Sequence, residues 1–287
     1  MPTPRPAPTL RVAAFLAAAA LAVSACASDD KQGTGTAKPS TTAAPDTTSP
    51  ETTEGSTAPD TTKGSSETSV VPVVDPGDGG AYEPTIDPAK FVTTIDNPYL
   101  PFLPGASWTY DGTSEDKPEK IEVTVLRDAK TVMGVPVVVV RDTVSIDGEL
   151  VEDTYDWFAQ DTDGNVWYFG EDVKDYENGE VVSTAGSWEG GVDGAIPGIV
   201  MPADPTVGKA FRQEFYKGEA EDMFEVLATD ETTKAGDQGY DQVVKTEDWS
   251  PLEAEVVEHK YYAPGVGKVA GGKGHVELVS FTPGKAG

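Results

Sequence analysis

Every tryptophan and tyrosine of this 287-residue chain, and eight of its nine phenylalanines, lie at or beyond Tyr82. The preceding stretch, residues 27–81, holds no aromatic residue, while 25 of its 55 positions are Ser, Thr or Pro. A segment of that composition cannot bury enough apolar surface to offset the entropy of ordering its chain. It reads as a disordered tether, so residues 82–287 must supply the folded domain. About 200 residues rich in large rings suffice for a substantial core.

Within those residues the hydrophobic pattern is that of strands. Ile121-Glu122-Val123-Thr124-Val125 alternates apolar and polar, as a half-buried strand does. Val137 to Val140 is an unbroken β-branched run, suited to burial on both faces. Asp147-Gly148 and Asp163-Gly164 separate such runs as hairpin turns. No long segment of 3.6-residue period with helix caps interrupts them. The class expected is all-β.

An internal repeat sharpens the expectation. Gly105-x-x-Trp108 matches Gly208-x-x-Phe211, and Ile121-Glu122-Val123 matches Phe224-Glu225-Val226. Val139-Val140-Arg141 matches Val243-Val244-Lys245, Phe158-Ala159 matches Tyr262-Ala263, and Gly164-x-Val166 matches Gly267-x-Val269. All five fall in one order at offsets of 103 or 104. Two antiparallel β-meanders, about residues 105–169 and 208–281, are expected to face one core as a sandwich or an open half-barrel. The insert between them, Gly186 to Pro202, reads as a loop packed on the domain, with Trp188 and Met201 plugging its open end.

The N-terminus carries an address. Arg5 and Arg11 precede an uncharged run from Val12 to Ala25, too short to span a bilayer. Its end, Ala22-Val23-Ser24-Ala25-Cys26, resembles the lipobox of bacterial lipoproteins. The resemblance implies removal of residues 1–25 as a signal peptide and diacylglyceryl attachment at Cys26, the sole cysteine. It also implies a cell-membrane location, lipid-anchored and facing the extracytoplasmic side, with residues 26–81 as lipidated N-terminus and linker. Ala27, next in line, fits inner- or outer-membrane sorting. In the second repeat, Tyr261 to Val269 and the lead-in Pro205-x-x-Gly208 resemble TapB-like secreted bacterial domains. That likeness covers the C-terminal third and implies an exported β-rich module without a transferable activity.

Charge and residue counts narrow the chemistry. The net charge is −28, and 82–287 carry −24 of it, which argues against a nucleic-acid partner. A single cysteine excludes a disulfide framework and a thiolate metal cluster, and two histidines leave little for zinc. Neither a Gly-x-Ser-x-Gly elbow nor a phosphate-binding loop occurs. His259, alternating with Val257 and Tyr261, reads as a packed strand residue.

Three candidate sites remain. Asp161, Asp163 and Asn165 place oxygen donors at alternate positions, as half a calcium loop does, although the sister turn at Gly265 lacks acids. Glu152, Asp153, Asp156, Glu171, Asp172 and Asp175 supply carboxylates, with Asp156 and Glu171 the pair to inspect for glycoside hydrolysis. Trp157, Trp167, Trp188 and Tyr261 are rings for a concave face that would take an apolar or lipid ligand or a cell-wall component. The leading expectation is a non-catalytic binding or structural module of the envelope that needs no cofactor. The rivals are a carboxylate-dependent hydrolase and a calcium-dependent wall-associated adhesion module. Cys26→Ser should abolish acylation, because a hydroxyl cannot become the thioether, and move the protein from the detergent phase to the aqueous phase on partitioning.

Overall fold

The computed structural model describes residues 82–272 and 275–285. The expected signal peptide 1–25, the expected anchor Cys26 and the expected linker 26–81 lie outside the described residues. Sixteen strands and two single-turn 3-10 helices make up the described elements, without an α-helix among them. β1 is Phe91–Val92, β2 Ser107–Ser114, β3 Lys117–Val132, β4 Val135–Ile146, β5 Glu149–Asp161 and β6 Val166–Glu177. β7 (Glu180–Ser183), β8 (Trp188–Glu189), β9 (Ile196–Met201), β10 (Ala210–Arg212) and β11 (Glu214–Phe215) are short. β12 (Met223–Ala235), β13 (Gln238–Trp249), β14 (Val257–Ala263), β15 (Gly267–Gly271) and β16 (Glu277–Thr282) complete the chain.

All pairings are antiparallel, and one continuous sheet runs β10-β12-β13-β14-β15-β16-β2-β3-β4-β5-β6-β9-β11. Its two outermost strands, β10 and β11, are neighbours in the chain, separated only by Gln213. One short segment thus pairs with β12 by its first half and with β9 by its second. The sheet curls until its ends meet, giving a nearly closed barrel and leaving little free edge. Of the two forms expected, the barrel is the one found.

The strand assignments follow from local chemistry. Ile121, Val123 and Val125 are buried in β3 while Glu122 and Thr124 are exposed. Val137, Val139 and Val140 in β4 are all buried, because the outer face of this strand is covered as well. Asp147 and Gly148, with φ of 54° and 83°, form the tight β4–β5 turn that requires two left-handed residues.

β2 to β6 and β10, β12 to β15 are the two copies of the meander, joined side by side through β16. Each opens alike: the Gly105 N–H donates to Val125 O as the Gly208 N–H donates to Val226 O. Each last hairpin carries a β-bulge at the same place. Phe158 pairs with Tyr168 and Trp157 with Gly170, which skips Phe169; Tyr262 pairs with Lys268 and Tyr261 with Ala270, which skips Val269. Trp108 and Phe211 are equivalent, as are Phe158 and Tyr262. Three of the sequence matches slip. Phe224 stands opposite Phe211 as Val123, not Ile121, stands opposite Trp108. Val244 corresponds to Val138, and Gly267 to Trp167 rather than Gly164, because the hairpins differ in length. The first two slip by two residues, which keeps each side chain on its face, whereas the glycine match slips by three and does not hold.

The insert is more regular than a packed loop. Trp188–Glu189 and Ile196–Met201 add to the edge of β6 as β8 and β9. The segment 93–106 ties the two copies at one end. The Asn97 amide donates to Gly164 O (3.0 Å) and Pro202 O (3.2 Å), and Pro98 O accepts from the Gly265 N–H (2.7 Å). The rings of Phe102, Trp108, Phe158 and Tyr168 form a chain of contacts in the core, with centroids 4.8–5.7 Å apart.

Closure depends on Gly198. A Cβ there would lie 2.3 Å from Arg212 O and 2.5 Å from Gln213 O, inside any real contact distance. Gly198→Ala should therefore wedge β9 from the Gln213 kink, at a cost of about 1–3 kcal/mol. In thermal denaturation that amounts to a fall of roughly 3–10 °C for a domain this size.

Candidate functional site

The two bulges set what faces the barrel interior. Skipping Phe169 turns both Tyr168 and Glu171 to the side occupied by Asp156 and Phe158. Asp156 stands directly opposite Glu171 on the adjacent strand. In the second copy the position equivalent to Asp156 is Lys260, and that of Glu171 is Gly271. The meander thus contributes a carboxyl pair from one copy and an amine from the other. Glu152 on β5, Asp142 on β4, Glu214 on β11, Asp248 on β13 and Lys268 on β15 are buried with them.

Asp156, Glu171 and Glu214 are 0%, 1% and 0% exposed. The Tyr168 hydroxyl donates to Asp156 Oδ1 at 2.7 Å. Asp156 Oδ2 and the oxygens of Glu171 and Glu214 have no well-formed hydrogen bond to the protein, the nearest donors being the Trp188 N–H at Glu214 and the Tyr168 hydroxyl at Glu171. Burial pushes the Asp156 carboxyl up to about 7, with the Tyr168 hydrogen bond working against it. Glu171 is held well above the usual carboxylate range by burial and then by Glu214, Asp156 and Glu152. Glu214 is raised likewise by burial and Asp222, while the Trp188 N–H and Lys260 act in the opposite direction. Glu152 is raised by burial, then Asp142 and Asp175, and burial lifts Asp222 to about 7. Three like carboxyls this deep cannot all ionise together, so as a group they keep protons to higher pH than exposed carboxyls do.

On the other wall Lys260 donates to Asp248 Oδ2 at 2.8 Å, and Gln213 Nε2 donates to the same oxygen at 3.2 Å. Burial pulls the Lys260 amine down, but Asp248, Tyr262 and Glu258 outweigh it and keep the charge. Lys268 is lowered to about 8 by burial and by Lys260. The pH response has a definite sign. Carboxyls raised on folding bind more protons in the native state than in the unfolded chain from about pH 4 upward. Their contribution is complete below that point and is lost as pH rises through 7, where Asp156 and Asp222 ionise. Lys268 works the other way only between its lowered value of about 8 and its ordinary 10.5.

The structure brings together the carboxylate pair singled out in the sequence, but seals it. Two directly opposed residues on adjacent strands, with no exposed atom to speak of, leave no cleft for a sugar between them. Asp153 instead forms a two-pronged ion pair with Arg141 (2.7 and 3.0 Å), and Asp172 pairs with Lys174. Of the rings, Trp157, Trp167 and Trp188 are core residues. Trp157 carries Lys130 Nζ 3.7 Å above its ring, Trp167 meets Phe91 edge-on, and Trp188 meets Tyr168 edge-on. Tyr261 is half-buried and borders an open hollow of about 500 Å³, whose lining includes Lys234, Val256, Val257, Glu258 and Gly272. His259 points outward, 3.3 Å from Glu247.

Asp161 organises its own turn. Its Oδ1 accepts from the N–H groups of Asp163 and Asn165, and its Oδ2 accepts from Asn165 Nδ2 and the Trp167 indole, all at 2.8–3.0 Å. Asn165 Oδ1 accepts from the Ala203 N–H. Among the described residues, no group of three or more His, Cys, Asp or Glu is placed to hold a metal ion.

Sequence reasoning missed Glu214, Asp222, Asp248 and Lys260. Lys260 alternates with Glu258 and Tyr262, a pattern that marks one face, but nothing in it says that the face is internal.

No protein-family model and no curated protein matches this sequence. Among solved structures the chain is similar to a putative lipoprotein from Parabacteroides distasonis, with a TM-score of 0.33 and 11% identity over 64% of this chain and 98% of that one. A likeness this distant bears on neither function nor mechanism.

Because Asp161 spends its oxygens within the turn, millimolar calcium should shift the melting temperature little, and no more than magnesium does. A true site would add about 2.7 kcal/mol at a hundredfold excess over Kd. Calcium-specific stabilisation of that size, lost in Asp163→Ala, would reinstate the metal reading.

Proposed function

We propose that this chain is a cell-envelope lipoprotein anchored through Cys26, whose barrel is a non-catalytic binding module facing the extracytoplasmic side. The lipobox and the aromatic-free linker support the anchoring. The hollow beside Tyr261 carries the binding reading, because it is the place where a ring from the sequence set meets solvent in a concave surface. At about 500 Å³ it lies within the range of small-ligand sites, roughly 300–1,000 Å³.

The lining suits an amphiphile. Val256 and Val257, 37% and 54% exposed, offer an apolar surface, while Lys234 and Glu258 offer polar contacts. Such a ligand is an apolar or lipid-like molecule with a polar end, or a cell-wall component of that character. The sealed Asp156–Glu171 pair favours this reading over the carboxylate hydrolase, since chemistry on a polymer needs the acids to reach it.

Native mass spectrometry of the full-length protein, purified in mild detergent from its own host, should show a bound adduct that Tyr261→Ala loses without loss of fold. A bare mass from the host would leave a structural module and remove the ligand. Polysaccharide hydrolysis abolished by Asp156→Asn would overturn the non-catalytic reading.

A further inference from the structure

The barrel is closed by very little. β11 pairs with β9 through Glu214↔Pro197 and Phe215↔Ile196 alone, and Pro197 has no N–H to give to the ladder. β10 adds three residue pairs to β12 on the other side of the Gln213 kink. Glu214 is nevertheless completely buried, and β11 lies against β6, which carries Glu171. A seam of this size, with carboxyl oxygens on both sides that lack a well-formed hydrogen bond, is an unusual place to bury acids.

We propose that the seam is a pH-released latch: the Glu171 and Glu214 side chains, one on each side with Asp156 alongside, hold the closing strand while protonated and part it once ionised. Protonated, a carboxyl can donate as well as accept, so neighbouring acids cohere across the seam. Ionised, they are acceptors only, and they repel each other in a medium of low polarity.

The surroundings neutralise that repulsion only in part. Glu214 is faced by Asp222 from the segment before β12, Asp156 from β5, Glu171 from β6, the Trp188 N–H from β8 and Lys260 from β14. Glu171 is faced in addition by Glu152 and lies beside Tyr168. Lys260 is engaged by Asp248 at 2.8 Å, and Arg212 lies over the Phe215 and Tyr82 rings. Raising the pH therefore adds negative charge where the closing strand is held to β9 by only two residue pairs. β15 meets β16 through the single pair Ala270↔Glu277, whose acid is exposed to solvent, and the ladders of β3, β4 and β5 are long. The latch does not depend on what the domain binds.

Hydrogen exchange of the full-length protein in detergent, corrected for the intrinsic effect of pH, tests this. Between pH 6 and pH 8.5, amides of 196–201 and 210–215 should lose protection about tenfold or more, while those of β3 and β4 keep theirs. The double variant Glu171→Gln, Glu214→Gln, which mimics the protonated pair, should stay protected at both pH values. Should it fail to fold, Glu214→Gln alone should reduce the pH dependence. Seam protection that is unchanged by pH, a loss spread evenly over all strands, or a Gln variant that opens as the parent does would each overturn the latch.

Discussion

The fold depends on the splitting of one six-residue segment between two partners. Residues 210–212 belong to the first strand of the second meander, and 214–215 belong to the last strand laid beside the first meander. Without that division at Gln213 the sheet would be an open ribbon with two exposed edges, one at β12 and one at β9. With it, the inner faces of both meanders become a single enclosed space. Gly198 makes this possible sterically, because only a residue without a side chain lets β9 approach the kink so closely.

Enclosure then decides the electrostatics. The inward side of each meander is apolar toward one end, at Phe158, Tyr168 and Trp108, and charged farther along the same strands. In an open sheet Asp156, Glu171 and Glu214 would be ordinary solvated acids. Inside a closed one they lose water on every side, and their protonation becomes part of the stability of the fold. The near two-fold character of the repeat softens this by placing Lys260 where the first copy has Asp156, so that one wall offers a cation to the other. The compensation is partial, since Lys260 is committed to Asp248.

Much of this was legible in the residues. The alternation around Ile121–Val125 and the Asp147-Gly148 turn determined strands and a hairpin by purely local chemistry, and the structure has both. The repeat was legible as topology but not as alignment. Matches at Val139–Arg141 and Gly164 were displaced because hairpin lengths change between copies; the two-residue side-chain period absorbs the first slip, of two residues, but not the second, of three. The tryptophans were legible as a group but not in their role. Trp157 and Trp167 lie on β-faces that look exposed in a lone meander and are covered here by Lys130 and Phe91.

By itself the sequence determined an all-β domain beginning near Tyr82, its two-copy layout, its acidity and an N-terminal segment of lipobox type. Those features rest on composition, on a period of two and on turn residues, all properties of neighbours in the chain. Only the tertiary structure decided that the meanders close on each other, that Glu214 meets Glu171, and that Asp156 lies inside rather than on a surface. Whether a charged face is wet or buried depends on what covers it. Here the cover comes from strands up to a hundred residues away, beyond the reach of any local pattern.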